Sequence, residues 1–180
     1  MKLGVDVGNY NINTSENVMF KAAVSTFKDF GSTADKIVID NKAYYLGDGY
    51  LEIDYRKFDK SNYLPLLLGA ICKSTTHEEI ELGLGLPLTQ YKGFKTELIN
   101  MLNKKEFNVV FNNKNRNIKI TKVDVFPEGV ASLIASFDFK SSSYNLIFSA
   151  NLLLFINVFA ATEASRDLSK LKISLDSTFV

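Results

Sequence analysis

The chain has 180 residues, 46% hydrophobic and 23% charged, the balance of one globular domain or of one domain and part of another. That excludes disorder, collagen and coiled coil as the whole answer. Twenty-one Lys and Arg against 20 Asp and Glu leave a net charge of +1, so no global field draws the chain to nucleic acid or to an anionic membrane.

One cysteine, Cys72, permits no internal disulfide and points to a reducing, cytoplasmic setting. With His77 as the one histidine, zinc sites and Cys/His or Ser/His/Asp catalysis are all but excluded. Catalysis would have to run on carboxylates, hydroxyls, lysines or a bound metal-nucleotide. The opening MKLGVDVGN does not read as a signal peptide, because an aspartate breaks its short apolar run. The most apolar stretch, 147–161, is interrupted by Asn151 and Asn157 and falls short of the ~20 residues of a membrane span, so it reads as buried strand.

In chain order, Leu3, Val5 and Val7 alternate with Gly4 and Asp6, a strand that runs into the tight loop Gly8-Asn9-Tyr10-Asn11. Residues 17–27 alternate again, with Val18, Phe20, Ala22 and Val24 on one face. Lys36 to Asp40 is a third strand, turned by Asp40-Asn41-Lys42 into a hairpin partner from Ala43 to Leu46. Asn62 is placed to cap a helix with Pro65 in its first turn and Leu64, Leu67, Leu68 and Ile71 as its apolar stripe. A strand over Ile80, Leu82, Leu84 and Leu86 ends at Pro87, and a helix follows with Phe94, Leu98, Met101 and Leu102 on one face. Phe107 to Phe111 and Arg116 to Ile120 flank the turn Asn112-Asn113-Lys114-Asn115 as a hairpin. Val123 and Val125 make another strand, and Pro127 opens a short helix carrying Val130, Leu133 and Ile134. The order predicts a mixed α/β sheet whose parallel members are joined by helical crossovers. The serine-rich stretch 137–143 is the candidate boundary between a domain over 1–137 and a second, incomplete one over 138–180. In that second part, the apolar run 152–159 is an edge prone to self-association if nothing covers it.

Two elements carry chemistry. Asp6 stands at the end of the first strand, just before Gly8, where a backbone can approach a ligand and loop N–H groups can cradle phosphate. The same Asp-x-Gly is also an ordinary turn. Phe126-Pro127-Glu128-Gly129 puts a carboxylate at a strand-to-helix junction, where it either orients a water or simply complements a helix dipole.

In their order and spacing these pieces resemble the N-terminal part of the actin-like ATPases of the ParM or StbA type, the plasmid-segregation filament proteins. The resemblance rests on residues 2–11 (KLGVDVGNYN), 45–49 (YLGDG), 85–88 (GLPL) and 126–129 (FPEG), and it covers roughly residues 1–137. It implies a ribonuclease-H-like mixed sheet with flanking helices, ATP with magnesium as cofactor, and self-association into filaments. It also implies that DNA is reached only through an adaptor protein and that no membrane is involved. Asp6 would face the magnesium, through water, and take part in catalysis with Glu128, which would position the hydrolytic water. Gly8, Asn9, Tyr10 and Asn11 would surround the β- and γ-phosphates. Phosphoryl transfer needs little more than such positioning and charge stabilisation.

The sequence departs from the family where a second phosphate loop, Asp-x-Gly-Gly, is due. The strand 144–148 leads instead into Ser149-Ala150-Asn151-Leu152-Leu153-Leu154-Phe155, with neither aspartate nor glycine. The expectation is therefore a truncated or degenerate member, impaired in ATP hydrolysis. A non-catalytic remnant or assembly module that keeps the first-domain fold is the alternative. A ribonuclease-H-type enzyme, with Asp40 and Asp48 joining Asp6 at two metals, ranks last because both lie at turn and loop positions. Cys72 reads as packing, His77 as a solvated loop residue, and Lys114, Arg116, Lys119 and Lys122 as an exposed basic hairpin. Tyr50, Tyr55, Phe58 and Tyr63 read as a loop over the core.

Overall fold

The computed structural model describes residues 1–52, 54 and 56–128. The boundary at 137, the helix after Pro127, the strand 144–148 and the apolar run 152–159 lie outside the described residues, as does Tyr55.

Among the described residues nine strands form a single sheet in the order β3-β2-β1-β7-β9-β8-β5-β6-β4. Its centre is built of three parallel strands: β1 (Lys2–Val7), β7 (Glu79–Leu86) and β9 (Lys114–Pro127). Leu3, Val5, Ile80, Leu82 and Leu86 are wholly buried, as expected of parallel strands flanked on both sides. Helices supply the crossovers: α1 (Tyr63–Ser74) leads from the first half of the sheet to β7, and α2 (Leu88–Leu102) leads from β7 towards β9.

The sheet is curled. β3 (Met19–Lys21) and β4 (Ala23–Ser25) are its two edges, yet only Ala22 separates them. The expected single strand over 17–27 therefore breaks at Ala22, whose N–H donates to the carbonyl of Tyr10 at 2.8 Å. β3 pairs with β2 (Asn11–Thr14), and β4 pairs with β6 (Lys42–Leu51). The Lys21 ammonium donates across the seam to the carbonyl of Gly49 at 3.1 Å.

The curl explains α1. The sequence suggests one apolar stripe, but nine of the helix's 12 residues are buried, including Leu66, Gly69 and Ala70. The helix packs against β1, β2, β4, β5 (Asp35–Ile39) and β6, so it has no solvent face of any width. Gly69 lets the helix sit close to β6, because a Cβ there would lie 2.3 Å from Leu46 Cδ1 and would push that side chain aside. Asn62 precedes the helix but makes no side-chain cap; Glu52 supplies the carboxylate instead, accepting from the N–H groups of Ser61 at 3.0 Å and Asn62 at 3.3 Å.

Both expected hairpins form on positive-φ pairs, Asp40-Asn41 and Asn112-Asn113, the geometry of two-residue turns that match strand twist. Asn112-Asn113 joins β8 (Glu106–Phe111) to β9. The separate strands expected over 116–120 and 123–125 are one 14-residue strand. A register shift opposite Ile80/Glu81 lets it follow β8 with one half and β7 with the other.

Because α1 fills the curl, shortening one of its inward side chains leaves a cavity that the sheet cannot close. Leu67→Ala is expected to cost about 3 kcal/mol in urea unfolding. Met19→Ala, at a side chain 69% exposed, should stay within about 0.5 kcal/mol.

Candidate functional site

The three parallel strands deliver their carboxyl ends to one place, the position where open α/β sheets bind ligands. β1 ends in Asp6-Val7. β9 ends at Pro127, level with Leu86 of β7, and the N–H of Glu128 extends that ladder by donating to the carbonyl of Leu86 at 2.7 Å. Beyond β1 the chain turns sharply, with the Gly8 N–H donating to the Asn11 carbonyl at 3.1 Å. A Cβ on Gly8 would sit 2.5 Å from that same oxygen, so only glycine makes the turn.

Asp6 and Glu128 do not face each other bare. The ammonium of Lys57 donates to Asp6 Oδ1 at 2.9 Å and to Glu128 Oε1 at 2.5 Å. Lys57 is 7% exposed, and its backbone N–H donates to Gln90 Oε1 at 3.3 Å. Burial pulls this ammonium towards neutrality, but the charges of Asp6 and then Glu128 outweigh burial and hold its pKa above the usual lysine value. Burial also drives the hydroxyl of Tyr63 far above the usual phenol range, helped by the same two carboxylates, so it stays neutral.

The segment before α1 carries Lys57 and is pinned on both flanks. Glu52 ties it to the start of α1. Arg56 pairs with Asp59 at 3.0 Å and with Glu97 of α2 at 2.6 Å, and its guanidinium lies 4.5 Å from the ring centre of Phe94. Phe58 packs edge-on against Tyr63 and Phe94. Three residues after Lys57, the Lys60 ammonium donates to Asn9 Oδ1 at 2.5 Å.

These residues enclose a polar cleft of about 150 Å3, lined by Asp6, Gly8, Asn9, Asp54, Lys57, Pro87, Gln90 and Glu128. At ~30 Å3 per water the space suits a phosphate group and its waters. The donor set fits magnesium that arrives with phosphate. One cleft-facing carboxylate such as Asp6 suffices for an ion that keeps most of its waters. Among the described residues no cluster of three or more His, Cys, Asp or Glu could hold a metal by itself.

Of the residues singled out in the sequence, Asp6, Gly8, Asn9 and Glu128 come together here. Tyr10 and Asn11 belong to the same turn but lie outside the cleft lining; Tyr10 is 67% exposed. Asp40 sits at a hairpin tip, and Asp48 accepts from the hydroxyl of Ser32. Lys57, Lys60 and Gln90 escape a sequence reading: the aromatic residues mark the segment as a loop over the core, but nothing local sets its two lysines apart from the charges beside them. The one trace is Phe58, a buried aromatic set between them.

The remaining candidates are structural. Cys72 is buried and its thiol is pushed up to about 11 by burial. His77 is exposed. Three of the four basic hairpin residues have partners, with Lys119 on Glu79 of β7 at 2.8 Å, Lys122 on Asp124 at 2.7 Å and Arg116 on the Thr75 carbonyl at 2.7 Å. Phe58 and Tyr63 are core, whereas Tyr50 is exposed. Among the described residues no helix is long and apolar enough to cross a membrane.

Residues 4–130 match the family model described as the N-terminal domain of actin-like proteins. The chain belongs to that family. Its fold is shared by an archaeal actin homologue, Ta0583, solved in complex with ADP (TM-score 0.65, 18% identity, 76% of this chain and 46% of that one). It is shared also by apo ParM of pSK41 (TM-score 0.62, 13% identity, 83% and 55%). A third match is ParM in a 15-stranded filament from Clostridium botulinum (TM-score 0.61, 21% identity, 76% and 50%). The chain thus spans about half the length of these actin-like structures. No curated protein matches it.

The lysine bridge yields a test of stability. Lys57→Met leaves two neighbouring carboxylates uncompensated and is expected to cost about 3 kcal/mol. This is the low end for a buried pair, because the Glu128 side chain is 38% exposed. Folding raises the Lys57 pKa, so its contribution is complete below the ordinary lysine value of 10.5 and is lost as the pH climbs through the raised one. Urea midpoints of the native chain and Lys57→Met should therefore differ by a constant amount from neutral pH up to the ordinary lysine value. They should converge only in stronger alkali.

Proposed function

We propose that the cleft holds the phosphate chain of a magnesium-bound nucleotide, ATP first among them. The observation that carries this reading is Lys57 bridging Asp6 and Glu128 beside the Gly8 turn, at the carboxyl ends of three parallel strands in an actin-like domain. Backbone N–H groups of the turn and the amide of Asn9 meet the phosphates. Asp6 faces the magnesium through water, and Lys57 supplies the counter-charge that keeps three anionic groups in one place. Glu128 orients water on the far side. The metal, when bound, neutralises charge on the phosphates.

The chain then serves as the nucleotide-facing part of a filament-forming protein of the plasmid- or phage-DNA segregation type. Copies of itself are its first partners, an adaptor stands between it and DNA, and the cytoplasm is its setting. ParM of Clostridium botulinum forms filaments, and this chain shares its fold, which supports the assembly half of the reading. The first domain extends to about residue 137, and a second begins beyond it.

A second reading, an assembly module without catalysis, draws on residues 149–155, which carry neither the aspartate nor the glycines of a second phosphate loop. With one wall, phosphates stay solvated, and electrostatic contacts there are worth far less than in a closed site. Binding without measurable turnover joins the two readings.

Isothermal titration with ATP and magnesium, paired with a phosphate-release assay, tests this. The expected dissociation constant is weaker than ~1 μM, about −8 kcal/mol, with phosphate release at the buffer rate and the binding heat lost in Asp6→Ala. A sub-micromolar constant or steady turnover would overturn the one-walled cleft. No heat at millimolar nucleotide would remove the nucleotide and leave the assembly module.

A further inference from the structure

Lys60 is harder to explain by folding than Lys57. It is 6% exposed, and among the described residues its ammonium meets no carboxylate at ion-pair distance. Burial, and then the charge of Lys57, both lower its pKa, and the weaker pull of Glu52 and Asp54 does not offset them. A cation held in this way opposes folding unless something else recruits it. Among the described residues its side-chain hydrogen bond goes to Asn9, an exposed loop residue that needs no buried lysine for its own sake.

The chemistry of that bond fixes an orientation. An ammonium donates and cannot accept, so Asn9 must turn Oδ1 towards it. The Nδ2 group, with both its hydrogens, is left for other partners, and Asn9 lines the cleft. A freely rotating amide would offer an approaching anion its oxygen half the time; this one is held with the donor available.

We propose that Lys60 is a positioning residue for phosphate: it locks Asn9 as a donor towards the polyphosphate of a nucleoside triphosphate, and its uncompensated charge draws that anion to the Gly8 turn. This rests on the nucleotide reading of the cleft. The role is separate from that of Lys57, whose charge is already met by Asp6 and Glu128.

The test is a double-mutant cycle on the full chain, with affinity for magnesium-ATP measured by titration and melting temperature recorded for each variant. Lys60→Met and Asn9→Ala should each weaken binding about tenfold, and the double variant should lose no more than the worse single one, because the residues act as a unit. Lys60→Met should melt no lower than the native chain, since it removes an unpaired buried charge. If it does not fold, Lys60→Leu, which likewise lacks both the donor and the charge, replaces it and should show the same loss. Native affinity in the Lys60 variant, or losses that multiply in the double variant, would overturn the proposal. A lower melting temperature with unchanged affinity would mark Lys60 as structural and would overturn it too. If the native chain itself binds no magnesium-ATP while remaining folded, the nucleotide reading fails first and this proposal falls with it.

Discussion

Two carboxylates from chain positions 122 residues apart share the end of one sheet, and a single ammonium makes that possible. Lys57 lies within hydrogen-bond distance of both Asp6 and Glu128. Without a counter-charge, two partly buried carboxylates this close would repel. The site depends on this bridge, and the bridge depends on the segment that carries Lys57. Glu52 anchors the segment to α1, and Arg56 anchors it to α2. Fold and site are therefore not separable layers. The helix that fills the curled sheet starts just after the lysines that serve the cleft.

Curling has a second consequence. The Tyr10 carbonyl, in the turn next to the cleft, accepts from Ala22 at the seam where the two sheet edges meet. The seam is further tied by Lys21 to Gly49. Two hydrogen bonds thus lead from the Gly8 turn to the outer strands β4 and β6.

Much of this was legible in the sequence. The alternation of Leu3, Val5 and Val7, the apolar run of β7, and the turn pairs Asp40-Asn41 and Asn112-Asn113 carry their structure locally, through side-chain period and left-handed backbone preference. Asp6 and Gly8 carry their chemistry in adjacent residues. What was not legible depends on contacts between distant segments. Ala22 breaks a well-alternating strand because its two halves join opposite edges, which no local pattern encodes. β2 has one buried apolar residue, Ile12, and is a strand because β1 pairs with it. Lys57 and Lys60 cannot be told from the Asp, Arg and Lys residues beside them. Only packing of Phe58 against Tyr63 and Phe94 turns the segment inward.

Chemistry rather than size marks the ligand's place. A larger cavity of about 350 Å3, lined by Lys28, Ala34, Lys36, Tyr45, Asn112 and Asn113, has two lysines but no carboxylate pair, no glycine turn and no carboxyl ends of parallel strands. Backbone amide NMR during titration with magnesium and a non-hydrolysable ATP analogue separates the two sites directly. The account predicts that the shifted signals cluster at Asp6, Gly8, Asn9, Lys57 and Glu128, while those of Lys36, Tyr45 and Asn112 stay still. Shifts centred on Lys36, Tyr45 and Asn112, with the Gly8 turn and Lys57 unmoved, would contradict it.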